Sequence, residues 1–305
     1  MTLILFFEQL LNGLQFGIML FLMSAGLTLI FGVMGLINLA HGSFYMIGAF
    51  CAALIAGLTG SFWLALLGSL IGAAIAGVLI EIIIIRRLYR RDHLDQVLAT
   101  FALILLLSEG VRWIFGAFPL YLNIPNILNG SIPLFFEIIY SKYRLFIILI
   151  GFLVAVGLYL LITKTRLGIR IRAGQNDRQM ISALGIDISK LYTIVFAIGA
   201  GLAGLAGAMI GAIQSVEVGM GEPILILAFV VIVIGGIGSI KGAFIGSLLV
   251  GVTDTLGRVF LPNFLKIFME PANATSMGSS IGSMLIYILM ALILIMKPSG
   301  LFGKN

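Results

Sequence analysis

Nine long apolar stretches divide this 305-residue chain, and they decide its solvent. They cover about 10–33, 35–58, 61–85, 94–115, 144–163, 191–214, 222–238, 242–259 and 280–297. A helix that crosses a bilayer needs about 20 consecutive apolar residues. Hydrocarbon offers the backbone no hydrogen-bond partners, so each stretch must satisfy its own amides as a helix. Composition agrees: 61% of residues are hydrophobic and 10% charged, against about 25% charged in a soluble domain. The expected fold class is all-α, a polytopic transmembrane bundle of eight to nine spans forming one domain over residues 1–305.

The net charge of +6 is a topology signal and does not point to nucleic acid. Arg86, Arg87, Arg90 and Arg91 follow the third stretch; Lys164, Arg166, Arg170, Arg172, Arg178 and Lys190 fill the loop 164–190; Lys297 and Lys304 close the chain. Cytoplasmic loops are enriched in Lys and Arg. An even number of spans separates these three regions, so all three fit the cytoplasmic side and the N-terminus falls outside. Lys142, Arg144, Arg258 and Lys266 oppose this assignment, because they fall at external edges. Met1–Leu10 lacks a positive n-region, so the first span is expected to act as its own insertion signal.

Several chemistries lack their residues. The one cysteine, Cys51, excludes an internal disulfide and a CxxC metal site. His41 and His93 alone make no metal centre, and no cofactor is expected. No GxxxxGK[ST] loop exists, so nucleotide hydrolysis by this polypeptide is not expected. Neither HExxH nor a Ser/His/Asp set is visible, which argues against a membrane-embedded enzyme. Buried carboxylates are scarce, which argues against a proton- or sodium-coupled transporter.

Four features carry positive information. The 38 glycines include small-xxx-small pairs such as Gly13/Gly17, Gly68/Gly72, Gly207/Gly211, Gly242/Gly246 and Ser247/Gly251, which let membrane helices approach closely. Asn38, His41 and Ser43 put polar groups into the second stretch, where they suit a cavity. Gly35 and Gly42 flank them as potential breakpoints of a discontinuous second helix, whose freed backbone groups would suit a solute; a helix start capped by Asn38 is the plainer alternative. Gly236, Gly238 and Ser239 belong to a glycine-rich turn between two apolar runs, expected to line the path. GLINLAHGSFYMIG and GIGSIKGAFIG share a glycine junction followed by a small-aromatic pattern, a weak sign of internal repetition.

The loop 164–190 is the fourth. Gln179, Met180, Ala183 and Leu184 form a short apolar face, Asn176 or Asp177 can cap its start, and Gly185 can stop it. Such a helix either docks on a soluble partner or lies on anionic lipid. The pairs Glu109/Arg112 and Asp254/Arg258 have the spacing of local salt bridges.

GLTLIFGVMGLINLAHGSFYMIGAF, RAGQNDRQMISALGIDISKL, GGIGSIKGAFIGSLLVG and the ending MKPSGLFG together resemble the branched-chain amino acid ABC transporter permeases, in order and over nearly the whole chain. The match is nearer to the shorter of that family's two permease paralogues. The resemblance implies a multi-pass subunit of the bacterial inner membrane. It implies a second permease subunit, two cytoplasmic ABC ATPase subunits and an extracytoplasmic solute-binding protein as partners. It makes the segment around Arg172, Gly174, Asn176, Asp177, Arg178, Leu184 and Gly185 the coupling helix seated in an ATPase groove. The external connections 116–143 and 259–279, with Glu217 and Glu222, would face the binding protein. Ser43 stands where the family often has an acid, and related permeases handle urea and short amides, which form the alternative substrate class.

Overall fold

The computed structural model describes residues 2–89, 91–134 and 138–303, with the side chains of Thr2 and Arg178 excepted. Arg90, Lys304 and the Arg178 side chain therefore lie outside the described residues. The helices are α1 (Thr2–Met34), α2 (His41–Thr59), α3 (Phe62–Ile80), α4 (Arg86–Leu88), α5 (His93–Phe115), α6 (Lys142–Lys164), α7 (Arg166–Asn176), α8 (Arg178–Ala183), α9 (Ile188–Gly211), α10 (Gly221–Gly235), α11 (Ile240–Leu265) and α12 (Pro271–Met296). A π-turn, Glu81–Ile85, joins α3 to α4. The only strands among the described residues, β1 (Ser131–Pro133) and β2 (Ile139–Ser141), form an antiparallel hairpin with Ile132 opposite Tyr140. Among the described residues, eight helices are long and apolar enough to cross a membrane. The chain is an all-α multi-pass membrane bundle.

The ninth expected span is α10, whose 15 residues reach about 22 Å at 1.5 Å per residue, short of a ~30 Å hydrocarbon core. The first span begins at Thr2, not near residue 10, because Glu8, Gln9 and Asn12 continue the helix. The expected connection 259–279 is mostly helical, since α11 runs to Leu265 and α12 starts at Pro271. Its hydroxyl-rich sequence hides a helix: Thr275, Ser279, Ser280 and Ser283 donate back to carbonyls one turn earlier.

Helices α1 and α9 form the buried centre, while α3, α5, α6 and α12 turn Leu67, Ile75, Leu106, Phe152 and Ile295 outward as a lipid-facing shell. Small residues set the contacts. A Cβ at Gly17 would lie 2.8 Å from the Ser247 carbonyl oxygen, and one at Gly13 would lie 2.8 Å from Val252 Cα. The Gly13/Gly17 stripe of α1 therefore meets the Ser247/Gly251 stripe of α11. Gly48 of α2 crosses Gly204 of α9 backbone to backbone. Gly72 packs against Cys51, whose thiol is a packing group.

The basic segments share one end of the bundle. The end of α1, the α10–α11 turn, the end of α12 and Gln175 of α7 meet around one cavity, and α4 with Arg86 and Arg87 bonds to the first turns of α9 through Thr193. Here it is called the basic end.

Candidate functional site

The helix break falls between the first two stretches, over residues 35–40. Gly35 ends α1 with φ 62°, a conformation that side chains with a Cβ resist. Gly42 breaks nothing: it lies inside α2, where a Cβ would sit 2.6 Å from the Gly221 carbonyl oxygen at the start of α10. Close packing between two helix starts is why that position is glycine.

The non-helical segment carries the chain back into the bundle. The Nε2–H of His41 donates to the Met23 carbonyl oxygen at 3.3 Å. Met23 precedes the end of α1 by eleven residues, which is about 16 Å along a helix. The start of α2 therefore lies deep within the bundle, not at an interface. Asn38 and His41 are completely buried and Ser43 nearly so. Asn38 does not cap α2; its Oδ1 accepts from Ala40 N at 3.1 Å and shapes the turn. Asn38 Nδ2 and His41 Nδ1 have no hydrogen-bond partner among the described residues. A buried polar group left alone costs about 1–3 kcal/mol, so one donor and one acceptor stand unsatisfied at the break.

Gly236, Gly238 and Ser239 occupy the α10–α11 turn. Gly236 has φ 97° and Gly238 φ 81°. Ser239 Oγ caps α11 by accepting from Gly242 N at 3.1 Å. The C-terminal MKPSGLFG segment folds onto this turn: Leu301 N and Phe302 N donate to Ile234 and Gly235 carbonyl oxygens, each at 2.9 Å. These bonds satisfy carbonyls that a helix end otherwise leaves open. Sequence reasoning missed this contact, although both motifs were visible separately. Gly238, Ser239, Gly32, Gly35, Gln175 and Phe302 line a cavity of about 630 Å³ at the basic end.

The structure therefore divides the expected pathway residues into two groups. Asn38, His41 and Ser43 lie deep in the bundle, and the Gly236–Ser239 turn lies at its basic mouth. A second cavity, about 150 Å³, sits toward the other end and is lined by Tyr45, one turn beyond His41. Gly35 borders the first cavity and Tyr45 the second. The largely buried residues between them separate the two.

The loop 164–190 holds two helices where one was expected. Thr165 Oγ1 caps α7 through Gly168 N at 3.1 Å, and Asp177 Oδ1 caps α8 through Gln179 N at 2.9 Å and Met180 N at 3.0 Å. Asp177 is extended and interrupts the run. Gly174 is buried against Leu191 and Val33. Arg172 donates to the Ile162 carbonyl oxygen and thereby closes α6. Leu184 lies just past α8, and Gly185 follows with φ 81°. Asn176 ends α7. The expected apolar face is solvent-exposed, with Met180 59% and Leu184 72% accessible; Ile181 points inward instead. Asp187 caps α9, and the Lys190 backbone N–H holds its carboxyl below the usual range.

Glu81 is another buried group at this end. It accepts from Arg86 Nη2 at 2.9 Å, Tyr89 Oη at 2.9 Å and Thr193 Oγ1 at 2.8 Å. Burial, followed by the Glu81 charge, raises the Tyr89 phenol. Glu109/Arg112 and Asp254/Arg258 are local ion pairs at 2.7 and 2.9 Å. Among the described residues no cluster of three His, Cys, Asp or Glu could hold a metal.

The sequence profile of the family described as branched-chain amino acid transport system / permease component matches residues 9–294. The high-affinity branched-chain amino acid transport system permease protein BraD of Pseudomonas aeruginosa is 31% identical, over 98% of this chain and 96% of its own length. The corresponding LivH protein of Salmonella typhimurium is 29% identical over the same shares. A probable branched-chain amino acid transport permease protein LivH of Methanocaldococcus jannaschii is 28% identical, over 94% of this chain and 89% of its own. No solved structure matches the chain. A profile match across nearly the whole polypeptide, on a bundle with a buried helix break, leads to one conclusion: the chain belongs to the branched-chain amino acid transport system permease family.

Proposed function

We infer that this chain is the membrane subunit of an ATP-driven importer and passes branched-chain amino acids across the bilayer. The observation that carries this reading is the buried break at residues 35–40 in a chain of this family. Irregular backbone at membrane depth is tolerated where it is buried or lines a path, and broken helices recur at transporter binding sites.

The basic end faces the cytoplasm, as the Lys and Arg distribution requires. Solute passes Asn38, His41 and Ser43 and leaves by the Gly236–Gly238–Ser239 mouth. The unsatisfied Asn38 donor and His41 acceptor offer a zwitterion one partner of each kind. The chain lacks a phosphate-binding loop, so the work comes from two cytoplasmic ATPase subunits. Their motion enters through α7 and α8, where Met180 and Leu184 present exposed apolar contacts. Gly174 seats α7 against α1 and α9, so a push on α7 reaches the helix that ends at the break. A second permease completes the pore, and an external binding protein delivers solute to the 116–141 connection, Glu217 and Glu222.

The test is uptake of radiolabelled leucine by proteoliposomes holding the chain, its partner permease, both ATPases and the solute receptor. Uptake requires ATP and every component, and excess urea leaves it unchanged. Leucine accumulation by this chain alone, or competition by urea, contradicts the reading.

A further inference from the structure

The cavity toward the end opposite the basic segments is not explained by the helix break or the glycine turn. It lies among α1, α2, α6, α9 and the first turn of α10. One side is polar, with Arg144, Gln15, Gln214 and Tyr45. The other is aliphatic, including Met19, Leu20, Ile213 and Ile224.

Two observations indicate a ligand. First, Gln15 is 6% and Tyr45 2% exposed, yet neither the amide nor the hydroxyl has a hydrogen-bond partner among the described residues. Polar groups at membrane depth are seldom left so. Second, Arg144 is the one charged residue among the described residues that line the cavity. It donates to Asn12 Oδ1 and makes no ion pair among the described residues. It lies in the first turn of α6, where a cation opposes the helix dipole, and away from the basic end, against the charge bias of the chain. Burial drives the nearby Tyr140 phenol up to about 12, with the Arg144 charge and its hydrogen bond to Tyr140 opposing that rise. A guanidinium has five N–H donors in a planar fork; Asn12 and Tyr140 engage part of it, and the remaining donors are available to an anion. Arginine takes carboxylates bidentately.

We propose that this cavity is the outward-side amino acid subsite of the permease, with Arg144 binding the substrate carboxylate and the aliphatic wall receiving its branched side chain. The proposal rests on the reading of the chain as a branched-chain amino acid permease. Gln15, Gln214 and Tyr45 supply acceptors for the ammonium. Tyr45 lies one helical turn from His41, so the subsite sits next to the helix break.

The experiment uses the assembled complex without its solute receptor, so that receptor affinity does not mask the permease. Thermal shift in detergent is recorded against leucine, leucinamide and leucinol. Leucine raises the melting temperature of the wild-type complex, whereas the two analogues lacking a carboxylate do not. Arg144→Gln weakens the leucine response by about tenfold or more, as loss of a charge-assisted bond predicts, and Arg144→Lys restores part of it. Arg144→Gln lowers the ligand-free melting temperature through loss of the Asn12 bond, but a merely structural Arg144 would shift melting alike with and without leucine and leave the leucine increment intact. Gln15→Leu weakens leucine severalfold and carries the test if Arg144→Gln fails to assemble. Equal responses to leucine and leucinamide, an unchanged leucine response in these variants, or no leucine response in the wild type overturns the subsite. Receptor-dependent leucine uptake by the same wild-type complex tells this failure apart from failure of the transport reading, which predicts that uptake whatever Arg144 does.

Discussion

The ring of His41, at the start of α2, lies 3.3 Å from the carbonyl oxygen of Met23 in the interior of α1. This bond ties the far side of the helix break to α1, one of the two helices at the buried centre, and leaves His41 Nδ1 without a partner among the described residues. Replacing His41 by alanine removes both features. Uptake by the reconstituted complex falls about tenfold, a loss equivalent to ~1.4 kcal/mol, while the amount of protein in the membrane stays near wild type. Parallel uptake and immunoblot measurements check this, and equal loss of both would return His41 to packing alone.

Gly48 and Gly204 cross with their backbones in contact, whereas nothing lies within 4 Å of a Cβ at Gly57. Gly48→Leu forces α2 away from α9 and costs at least about 1–3 kcal/mol, the usual range for overpacking. Gly57→Leu, on the same helix, changes stability little. Melting temperatures of the two variants in one detergent decide the point.

Glu81 is fully buried and holds Arg86, Tyr89 and Thr193, while Glu109 pairs with Arg112 in the open. Glu81→Gln keeps the shape but removes the charge that these donors share. Arg86 is partly exposed, so water moderates the loss to about 1–3 kcal/mol. Glu109→Gln costs less than ~1 kcal/mol, as exposed pairs do. Thermal unfolding of both variants should separate them clearly.

Met180 and Leu184 are exposed on the 164–190 segment, whereas Arg172 closes α6 through the Ile162 carbonyl. Charge reversal at Arg172 therefore disturbs the fold as well as any docking. Met180→Asp and Leu184→Asp are cleaner probes. Each lowers ATP-dependent uptake about tenfold or more through loss of the proposed apolar contact with the ATPase and leaves the melting temperature unchanged. Normal coupling in both variants places the ATPase contact elsewhere.

Much of the fold was legible because a bilayer makes hydrophobic runs a direct record of helices. The misreadings have local causes. Serine and threonine hydroxyls satisfied by carbonyls let α12 start earlier than hydropathy suggests. Glu8, Gln9 and Asn12 likewise hid the first turns of α1. At the site, the Asn38–His41 motif was visible as polar residues inside an apolar run. Gly42 was misjudged, since a glycine that admits a neighbouring backbone and one that breaks a helix look identical in sequence. The cavity around Arg144 was illegible, because it unites residues from five helices and only tertiary packing brings Gln15, Tyr45 and Arg144 together.

Central to the proposed transport is that the break at residues 35–40 acts as a gate that opens alternately to the two sides. Changing the sole cysteine by Cys51→Ser allows one cysteine to be placed at Ser43 in the assembled complex. Labelling by a membrane-impermeant maleimide is then compared from each face, with and without a non-hydrolysable ATP analogue. Alternating access predicts that nucleotide switches the face from which position 43 is reached. Labelling that is absent from both faces in both states, or identical in both states, would contradict it.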